Sequence, residues 1–384
     1  MHDPESPRTL PVSWYSDPAV LEAERRTVLA AGPQYVGSVP MVPEHGWFRT
    51  VPQRDHGEVL VREGERVRLV SNVCLHRGFL MTKGRGRKKA IVCPMHRWSY
   101  DLAGGLLKAP HYPETPCLHL PRRDLQDWNG ILFAGGQDVA GELAPLSGLG
   151  LDLDVRNYVL EATEEEEQPF NWKIPIEVLL ENYHAPYIHP GFTRFADPAT
   201  WLGNDGAFDS ELLMFQVMRP HPDFAHNPAS RAFEEWQRAI LELTGGQPPR
   251  FAAVIALYRH NTIIEWWPFT FQVTTYVPRS PGVTLMTREF CFDPRALVAM
   301  PEYPELARAA WYETQRQDEE AHASLQVGRA LAHRRDPHAL TGYEVYQSPM
   351  EDSVQLFHSM LIRDVSPHLA VPGRAGAARA GALP

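Results

Sequence analysis

Two short cysteine–histidine pairs constrain the fold of this chain more than any other feature. The sequence reads Cys74-Leu-His76 and, sixteen residues later, Cys93-Pro-Met-His96. Thiolate and imidazole groups are the ligands that proteins use for zinc and for iron–sulfur clusters. Strand-like runs surround both pairs, so each pair can lie on a loop of a small β domain. The two loops can then close on one metal centre.

The order of the ligands separates two kinds of metal centre. Zinc fingers usually place cysteine near cysteine and histidine near histidine along the chain. Here each loop supplies one residue of each type. A Rieske [2Fe–2S] cluster suits this interleaving, because two thiolates hold one iron and two imidazoles hold the other. The pattern therefore favours a Rieske cluster, with a zinc site and four unrelated buried residues as the alternatives.

The composition excludes several broad classes of protein. A chain of 384 residues with a net charge of −10 has room for two domains and lacks the basic balance of a general nucleic-acid binder. Four cysteines are too few for a disulfide framework. The first residues show no signal-peptide pattern, and the apolar runs are too short to cross a bilayer. We expect a cytoplasmic protein that binds neither membrane nor nucleic acid.

Hydrophobic periodicity divides the chain into a β-rich first part and a mixed second part. Short strand-like runs continue from Trp47 to about Phe133, and helical and strand-like runs then alternate irregularly. This order indicates an α+β fold. We predict an N-terminal helical segment packed on the second domain (1–45), a small antiparallel β domain (46–152), and a larger domain whose antiparallel sheet is flanked by helices (153–384). The predicted elements are an amphipathic helix over 18–31, an edge strand with the acidic run 164–167, a helix from 174, strands over 208–218, 251–258, 262–277 and 283–292, and a helical section from near Tyr303.

A second group of metal-ligating residue types lies in the stretch Glu181-Asn-Tyr-His184-Ala-Pro-Tyr-Ile-His189. In a helix running from 174, Glu181 and His184 share a face at i, i+3 spacing. Pro186 would loosen the next turn and let His189 return toward His184. Two imidazoles and one carboxylate with open positions form the facial triad that suits non-haem Fe(II). Two histidines five residues apart are, on their own, more often ordinary core or surface residues.

The motifs together resemble a known family, the terminal oxygenase (alpha) subunits of the Rieske non-haem iron oxygenases. The resemblance rests on CLHRG (74–78), CPMHRWSYDLAG (93–104), NWK (171–173) and ENYHAPYIHP (181–190), which follow one another in the family's order. It implies a [2Fe–2S] cluster held by Cys74, His76, Cys93 and His96, and a mononuclear iron held by His184, His189 and a downstream carboxylate.

The third iron ligand is the least defined part of this resemblance. Family members tend to carry the ligand aspartate eight residues before a Gln-x-Gly, and Asp318 stands so before Gln326-Val-Gly328. We therefore predict Asp318. The neighbouring Glu319, Glu320 and His322 stay open as alternatives.

Two positions differ from the commonest family pattern. Arg97 follows the second cluster histidine, where glycine is frequent, and Glu181 stands where aspartate is frequent. By resemblance, Glu181 accepts a hydrogen bond from a cluster histidine of a neighbouring subunit and so connects the two metal centres. That role implies a ring-shaped homotrimer.

The resemblance also implies the partners and the reaction. A reductase, directly or through a ferredoxin, passes electrons from NAD(P)H to the cluster, and the mononuclear iron activates O₂. We predict hydroxylation or oxidative dealkylation of a small aromatic compound, with monooxygenation or N-demethylation of a quaternary ammonium compound as the alternative. An electron-carrying Rieske protein with a non-catalytic second domain is the alternative from another class. The predicted pocket residues are Phe215, Tyr258, Trp266 and Trp267, with Met218, Phe269 and Phe271 as further candidates.

Overall fold

The computed structural model describes residues 9–202, 207–226, 230–336, 339–340 and 346–369. Residues 1–8 of the predicted N-terminal segment and residues 370–384 of the predicted second domain lie outside the described residues. The prediction that the first residues form no signal peptide also concerns residues outside this range. Mixed helices and antiparallel sheets confirm the predicted α+β class.

Small antiparallel sheets make up the first part of the protein. They have the strand orders β5-β2-β3-β4-β9, β6-β7-β8 and β1-β11-β10, where the strands are β1 (Gln34–Ser38), β2 (Trp47–Thr50), β3 (Glu58–Glu63), β4 (Arg66–Ser71), β5 (Arg85–Arg87), β6 (Ile91–Val92), β7 (Ser99–Tyr100), β8 (Leu106–Lys108), β9 (Arg122–Arg123), β10 (Leu125–Trp128) and β11 (Ile131–Ala134).

The first strand, β1, precedes the domain boundary that we predict at 45/46, but it pairs with a strand that follows this boundary. Gln34 pairs with Ala134 and Ser38 pairs with Ile131, so β1 belongs to a sheet formed with residues of the first domain. The five-residue run QYVGS carries no clear alternation, and only its pairing partner reveals it as a strand.

A seven-stranded antiparallel sheet forms the second part, in the order β12-β18-β17-β16-β15-β14-β13. Its edge strand β12 carries the acidic run, as predicted. The predicted strand over 262–277 is two strands, because Pro268 cannot donate a ladder hydrogen bond and Phe269 has a positive φ of 56°. The strands are β12 (Val159–Gln168), β13 (Ala207–Asp209), β14 (Leu213–Met218), β15 (Ala253–Tyr258), β16 (Thr262–Trp267), β17 (Thr270–Ser280) and β18 (Val283–Phe292).

Helices cover one face of this sheet. The long helix α10 contacts α4 and α8, and no helix within the described ranges is long and apolar enough to span a bilayer. The helices are α1 (Pro18–Glu24), α2 (Val139–Glu142), α3 (Ala144–Ser147), α4 (Lys173–Leu180), α5 (Ala185–Ile188), α6 (Phe192–Phe195), α7 (Pro198–Trp201), α8 (Arg231–Leu243), α9 (Pro294–Ala299), α10 (Tyr303–Arg335) and α11 (Asp352–Val365). The predicted helix over 18–31 is α1 followed by one π-helical stretch, Arg25–Leu29.

The other face of the sheet packs against the first domain. The ring centroids of Tyr258 and Phe133 lie 5.1 Å apart, and those of Trp266 and Trp128 lie 6.3 Å apart. Since side chains alternate between the two faces of a strand, each strand contributes to both cores. The first domain covers this face of the sheet, and the cavity lies on the opposite, helix-covered face.

A buried ion pair fastens the N-terminal helix to the start of α4. Lys173 Nζ lies 2.6 Å from Glu24 Oε1, and neither side chain is exposed. Trp172 Nε1 donates to the other carboxylate oxygen (2.9 Å), and Lys173 also donates to the carbonyl of Trp14 (3.1 Å). Burial lowers the pKa of Lys173, and the Glu24 carboxylate opposes that shift. Each buried charge thus has a partner, which a charge removed from water requires.

Replacing Glu24 by glutamine should therefore destabilise the protein strongly. The substitution leaves the Lys173 ammonium buried without a counter-ion, which costs about 3–5 kcal/mol in comparable pairs. Urea unfolding followed by circular dichroism measures this loss. The matched control is Glu22→Gln, which removes an exposed pair with Arg26 at 3.7 Å and should cost no more than about 1 kcal/mol. Equal losses in the two variants would show that the buried pair has no special role.

Candidate metal centres and substrate cavity

The two cysteine–histidine loops have the same backbone geometry. The amide of Gly78 donates to the carbonyl of Cys74 (2.9 Å), and the amide of Arg97 donates to that of Cys93 (3.0 Å). Gly78 and Arg97 both have positive φ, 72° and 62°. Arg97 thus occupies a left-handed position that favours glycine, which gives a physical reason why glycine is frequent there. The loop forms despite the larger side chain.

The four predicted cluster ligands come together at the tips of these loops. Cys74 and Cys93 are buried, and the His76 and His96 rings lie 4.6 Å apart. The indole of Trp98 stacks on His76 at 5.0 Å. His76 Nδ1 is buried and has no hydrogen-bond partner among the described residues, a state that is costly unless the atom binds something else. This donor set of two thiols and two imidazoles fits a Rieske [2Fe–2S] cluster.

The histidines of the second group lie at the ends of a one-turn helix. The helix α4 ends at Leu180, Glu181 is extended, and α5 begins after His184 and ends before His189. The helix that we predict from 174 therefore does not continue through Glu181 and His184, and that part of the prediction is wrong. Pro186 lies in the first turn of α5, where a missing N–H costs nothing. The helix ends before the proline, and the single helical turn that follows brings the imidazole rings of His184 and His189 together.

Three potential ligand atoms converge at this corner. His184 Nε2 lies 3.2 Å from His189 Nε2, and Asp318 Oδ1 lies 2.9 Å from His189 Nε2 and 3.7 Å from His184 Nε2. These residues form a group within 4.8 Å that can hold a metal ion. Among the alternatives, Glu320 is exposed, and Glu319 accepts a hydrogen bond from Gln168 (3.2 Å). Buried His322 packs its ring edge-on against Phe170.

The other ring nitrogens of the two histidines are held by side-chain oxygens. His184 Nδ1 donates to Glu181 Oε1 (2.6 Å), and His189 Nδ1 donates to Gln317 Oε1 (2.8 Å). Both Nε2 atoms therefore present lone pairs to each other, which a cation between them would satisfy. The site fits a facial Fe(II) triad with open positions. The sequence analysis missed Gln317, although its place beside Asp318 on α10 was an available signal.

Glu181 is engaged within its own chain. Besides the contact with the His184 ring, its carboxylate accepts the His184 amide at 3.0 Å. The predicted hydrogen bond from a neighbouring subunit stays a prediction.

A cavity of about 150 Å³ lies next to these three residues, on the helix-covered face of the sheet. Ile263, Glu265 and Trp267 of β16 line it, whereas Trp266 points into the core shared with the first domain. Its aromatic walls are formed by Phe170, Phe192, Phe233, Trp236, Trp267, Tyr276 and Trp311.

The predicted pocket residues divide between the two faces. Trp267 lines the cavity and so does Met218, but Phe215, Tyr258 and Trp266 lie on the opposite face, in the core next to the first domain. That part of the prediction is corrected. Alternation places residues i and i+2 on the same side, but it cannot tell which side faces the cavity.

Glu265 is a buried carboxylate in the cavity wall, on the same strand as Ile263 and Trp267. It is 5% exposed, and the Gln272 amide donates to it. Burial raises the pKa of Glu265 to about 7. The guanidinium of Arg288 also lines the cavity but pairs with Glu164 at 2.9 Å. The sequence analysis missed Glu265, although a lone acidic residue in the run TIIEWW, two positions before Trp267, was a usable signal.

Comparison with known proteins agrees with both centres. The family model described as the Rieske [2Fe-2S] domain matches residues 33–119, and that of the ring hydroxylating alpha subunit (catalytic domain) matches residues 155–366. Putrescine 2-hydroxylase of Ralstonia nicotianae is 40% identical over 91% of this chain and 93% of its own length. The enzyme of the same name from Bordetella bronchiseptica is 38% identical over 91% and 83%.

The fold has a counterpart among solved structures. The crystal structure of a quaternary ammonium Rieske monooxygenase in complex with an inhibitor superimposes with a TM-score of 0.73. The alignment covers 93% of this chain and 95% of that one, at 19% identity.

The fold and the matches define an oxidoreductase of the Rieske oxygenase class. The chain belongs to the alpha subunits of the Rieske non-haem iron oxygenases. Its cofactors are a Rieske [2Fe–2S] cluster and a mononuclear iron, and O₂ is its co-substrate. The match of the first domain to a Rieske [2Fe-2S] domain overturns the zinc alternative, and the match of the second domain to an oxygenase catalytic domain overturns the pure electron carrier.

Replacing Asp318 by alanine should remove the mononuclear iron and leave the cluster in place. We expect the variant to keep its acid-labile sulfide and its cluster absorption while it loses the iron beyond that of the cluster. The control is Glu319→Ala, whose carboxylate contacts amides instead of the histidines. If Glu319→Ala lost this iron and Asp318→Ala kept it, Glu319 would be the third iron ligand.

Replacing Glu265 by glutamine should change how stability depends on pH. The pKa of this carboxyl is about 7 in the folded protein and 4.5 in the unfolded chain. As the pH rises from about 4.5 to 7, the unfolded chain loses its proton first, so the free energy of unfolding decreases. The wild-type protein should therefore lose roughly 2–3 kcal/mol between pH 5 and 8 relative to the variant. Urea unfolding at both pH values measures the difference. Parallel curves would show that Glu265 titrates normally.

Proposed function

We propose that this oxygenase hydroxylates a carbon of a small aliphatic diamine such as putrescine. The observation that carries the proposal is the identity of 40% and 38% with two putrescine 2-hydroxylases over 91% of the chain. Coverage of this extent includes most of the Rieske domain and most of the catalytic domain. An aliphatic diamine therefore takes precedence over the aromatic substrate that the sequence analysis predicts.

The chemistry of the cavity supports a cationic substrate. Aromatic faces attract ammonium groups through the quadrupole of the ring, and Trp267, Trp236 and Trp311 all contribute to its walls. The buried carboxylate of Glu265 adds a negative group that an aromatic hydrocarbon could not use. A quaternary ammonium compound is the second candidate, because an aromatic cage also suits it. It has no N–H to donate to a carboxylate, and this favours the primary amine.

The residues around the iron site prepare it for the reaction. His184, His189 and Asp318 would hold the iron, which would supply the activation of O₂. Glu181 and Gln317 fix the orientation of the two imidazoles, so that the Nε2 lone pairs are directed at one point. The aromatic walls exclude bulk water and hold the substrate beside that point. The side chains position the substrate and do not themselves carry the oxidation.

Electrons reach the cluster from a reductase. In this proposal they then pass from the cluster of one subunit to the iron site of a second copy of the chain. Leu75 and Met95, within the two cluster loops, are exposed apolar side chains. Tyr187, beside the iron-site histidines, is 79% exposed. Exposed apolar groups at both centres are consistent with contact between cluster and iron site in a homotrimer, with Glu181 at the junction.

A single-turnover experiment tests the substrate without knowledge of the reductase. The purified protein is loaded with Fe(II), its cluster is reduced with dithionite, excess reductant is removed, and ¹⁸O₂ is added with 1,4-diaminobutane. We expect a hydroxylated diamine that carries ¹⁸O, detected by mass spectrometry. Naphthalene and carnitine serve as comparison substrates. Turnover of either one in preference to the diamine would contradict the proposal, and the His189→Ala variant controls for reactions away from the iron.

A further inference from the structure

We infer that Glu265 binds an ammonium group of the diamine and thereby determines the specificity of the cavity. This inference rests on the proposed function and adds to it the residue that recognises the cation. It makes Glu265 a substrate-binding residue, since its carboxylate would accept hydrogen bonds from the primary ammonium.

The position of Glu265 suits this role. It lies on β16, between β15 and β17 in the middle of the seven-stranded sheet. The sheet forms one wall of the cavity, and the iron-site residues His184, His189 and Asp318 belong to the helical wall. A diamine with one ammonium at Glu265 would extend across the cavity toward the iron site. The anchored end would thereby set which carbon faces the oxidant.

The charge of the Glu265 carboxylate is not neutralised by an ion pair with any of the described residues. Its side chain is 5% exposed, and in the described part of the chain it has no ion pair within 4.0 Å. The nearby Arg288 is committed to Glu164 and to Gln315. An isolated buried carboxylate is unfavourable, and a bound ammonium would compensate it with charge-assisted hydrogen bonds.

The other carboxylates that line the cavity are already engaged. Glu181 holds the His184 ring, and Asp318 lies against His189. Glu319 Oε1 accepts hydrogen bonds from the Gln168 and Gln315 amides. The amide of Gln272, a neutral group, donates a hydrogen bond to Glu265. It is thus the buried member of this group, and unlike Glu181 and Asp318 it does not contact an iron-site histidine.

The aromatic neighbours complete an ammonium site. Trp267 is on the same face of β16 as Glu265, and Tyr276 of β17 lines the same wall. Their rings can stabilise a cation held by the carboxylate. Glu265 supplies the directional contact that separates a primary ammonium from a neutral or quaternary group of similar size.

The test is a binding measurement on the iron-loaded holoenzyme without O₂. Isothermal titration calorimetry compares 1,4-diaminobutane with the neutral 1,4-butanediol in the wild-type protein and in Glu265→Gln. We expect the variant to bind the diamine roughly 10- to 100-fold more weakly, the range for a hydrogen bond to a charged group. Its preference for the diamine over the diol should fall by the same factor. Glu265→Asp, which keeps the charge, should recover part of the affinity.

The matched control is Glu289→Gln. Glu289 is also a buried carboxylate with a raised pKa caused by burial, but it accepts a hydrogen bond from Ser38 (2.8 Å) and lies outside the cavity lining. This variant should bind the diamine as the wild-type protein does. Iron, sulfide and the cluster absorption of each variant verify that the holoenzyme is intact.

The outcomes separate the inference from the function on which it rests. If the wild-type holoenzyme neither binds nor hydroxylates the diamine, the proposed function fails and the inference fails with it. If the wild-type protein does both and Glu265→Gln binds the diamine equally well, the inference alone is overturned. If Glu265→Gln loses its cofactors, the Glu265→Asp variant provides the test instead. A diamine affinity equal to that of the wild-type protein, despite the shorter side chain, would reject the inference. A weaker preference for the diamine over the diol would support it.

Discussion

The two-sided burial of the seven-stranded sheet is the constraint on which the rest of this structure depends. One face closes the core with the cluster domain, through contacts such as that between Tyr258 and Phe133. The opposite face must be covered by helices, and the gap between them is the cavity. Because alternate residues of each strand serve opposite faces, β16 simultaneously contributes Trp266 to the core and Glu265 and Trp267 to the cavity.

The iron site is assembled from two pieces of chain that only packing brings together. The corner between α4 and α5 supplies His184 and His189, and α10 supplies Asp318 more than a hundred residues later. Glu181 and Gln317, one from each piece, orient the imidazoles. The contact of α10 with α4 thus brings together the ligands and the groups that hold them.

Buried charge has two different uses in this protein. Lys173 and Glu24 are both fully buried and neutralise one another at 2.6 Å, which fixes the N-terminal helix to α4. Glu265 is 5% exposed and lines the cavity, and it has no cationic side chain within ion-pair distance in the part of the chain described here. An unpaired buried carboxylate lowers stability, and such a cost is typical of functional sites. This contrast is the physical basis for assigning Glu265 to the substrate.

The sequence by itself determined the chemistry of the metal centres, because ligand identity and local spacing, as in Cys74-Leu-His76, are properties of a short segment. It also predicted the α+β class. Tertiary structure alone decided that α4 ends at Leu180, with Glu181 extended, because the apolar spacing of the segment also fits a longer helix. It likewise decided that Trp267 faces the cavity and Phe215 does not. Strand alternation repeats every two residues and is symmetric, so only the partner on each face of the sheet distinguishes core from cavity.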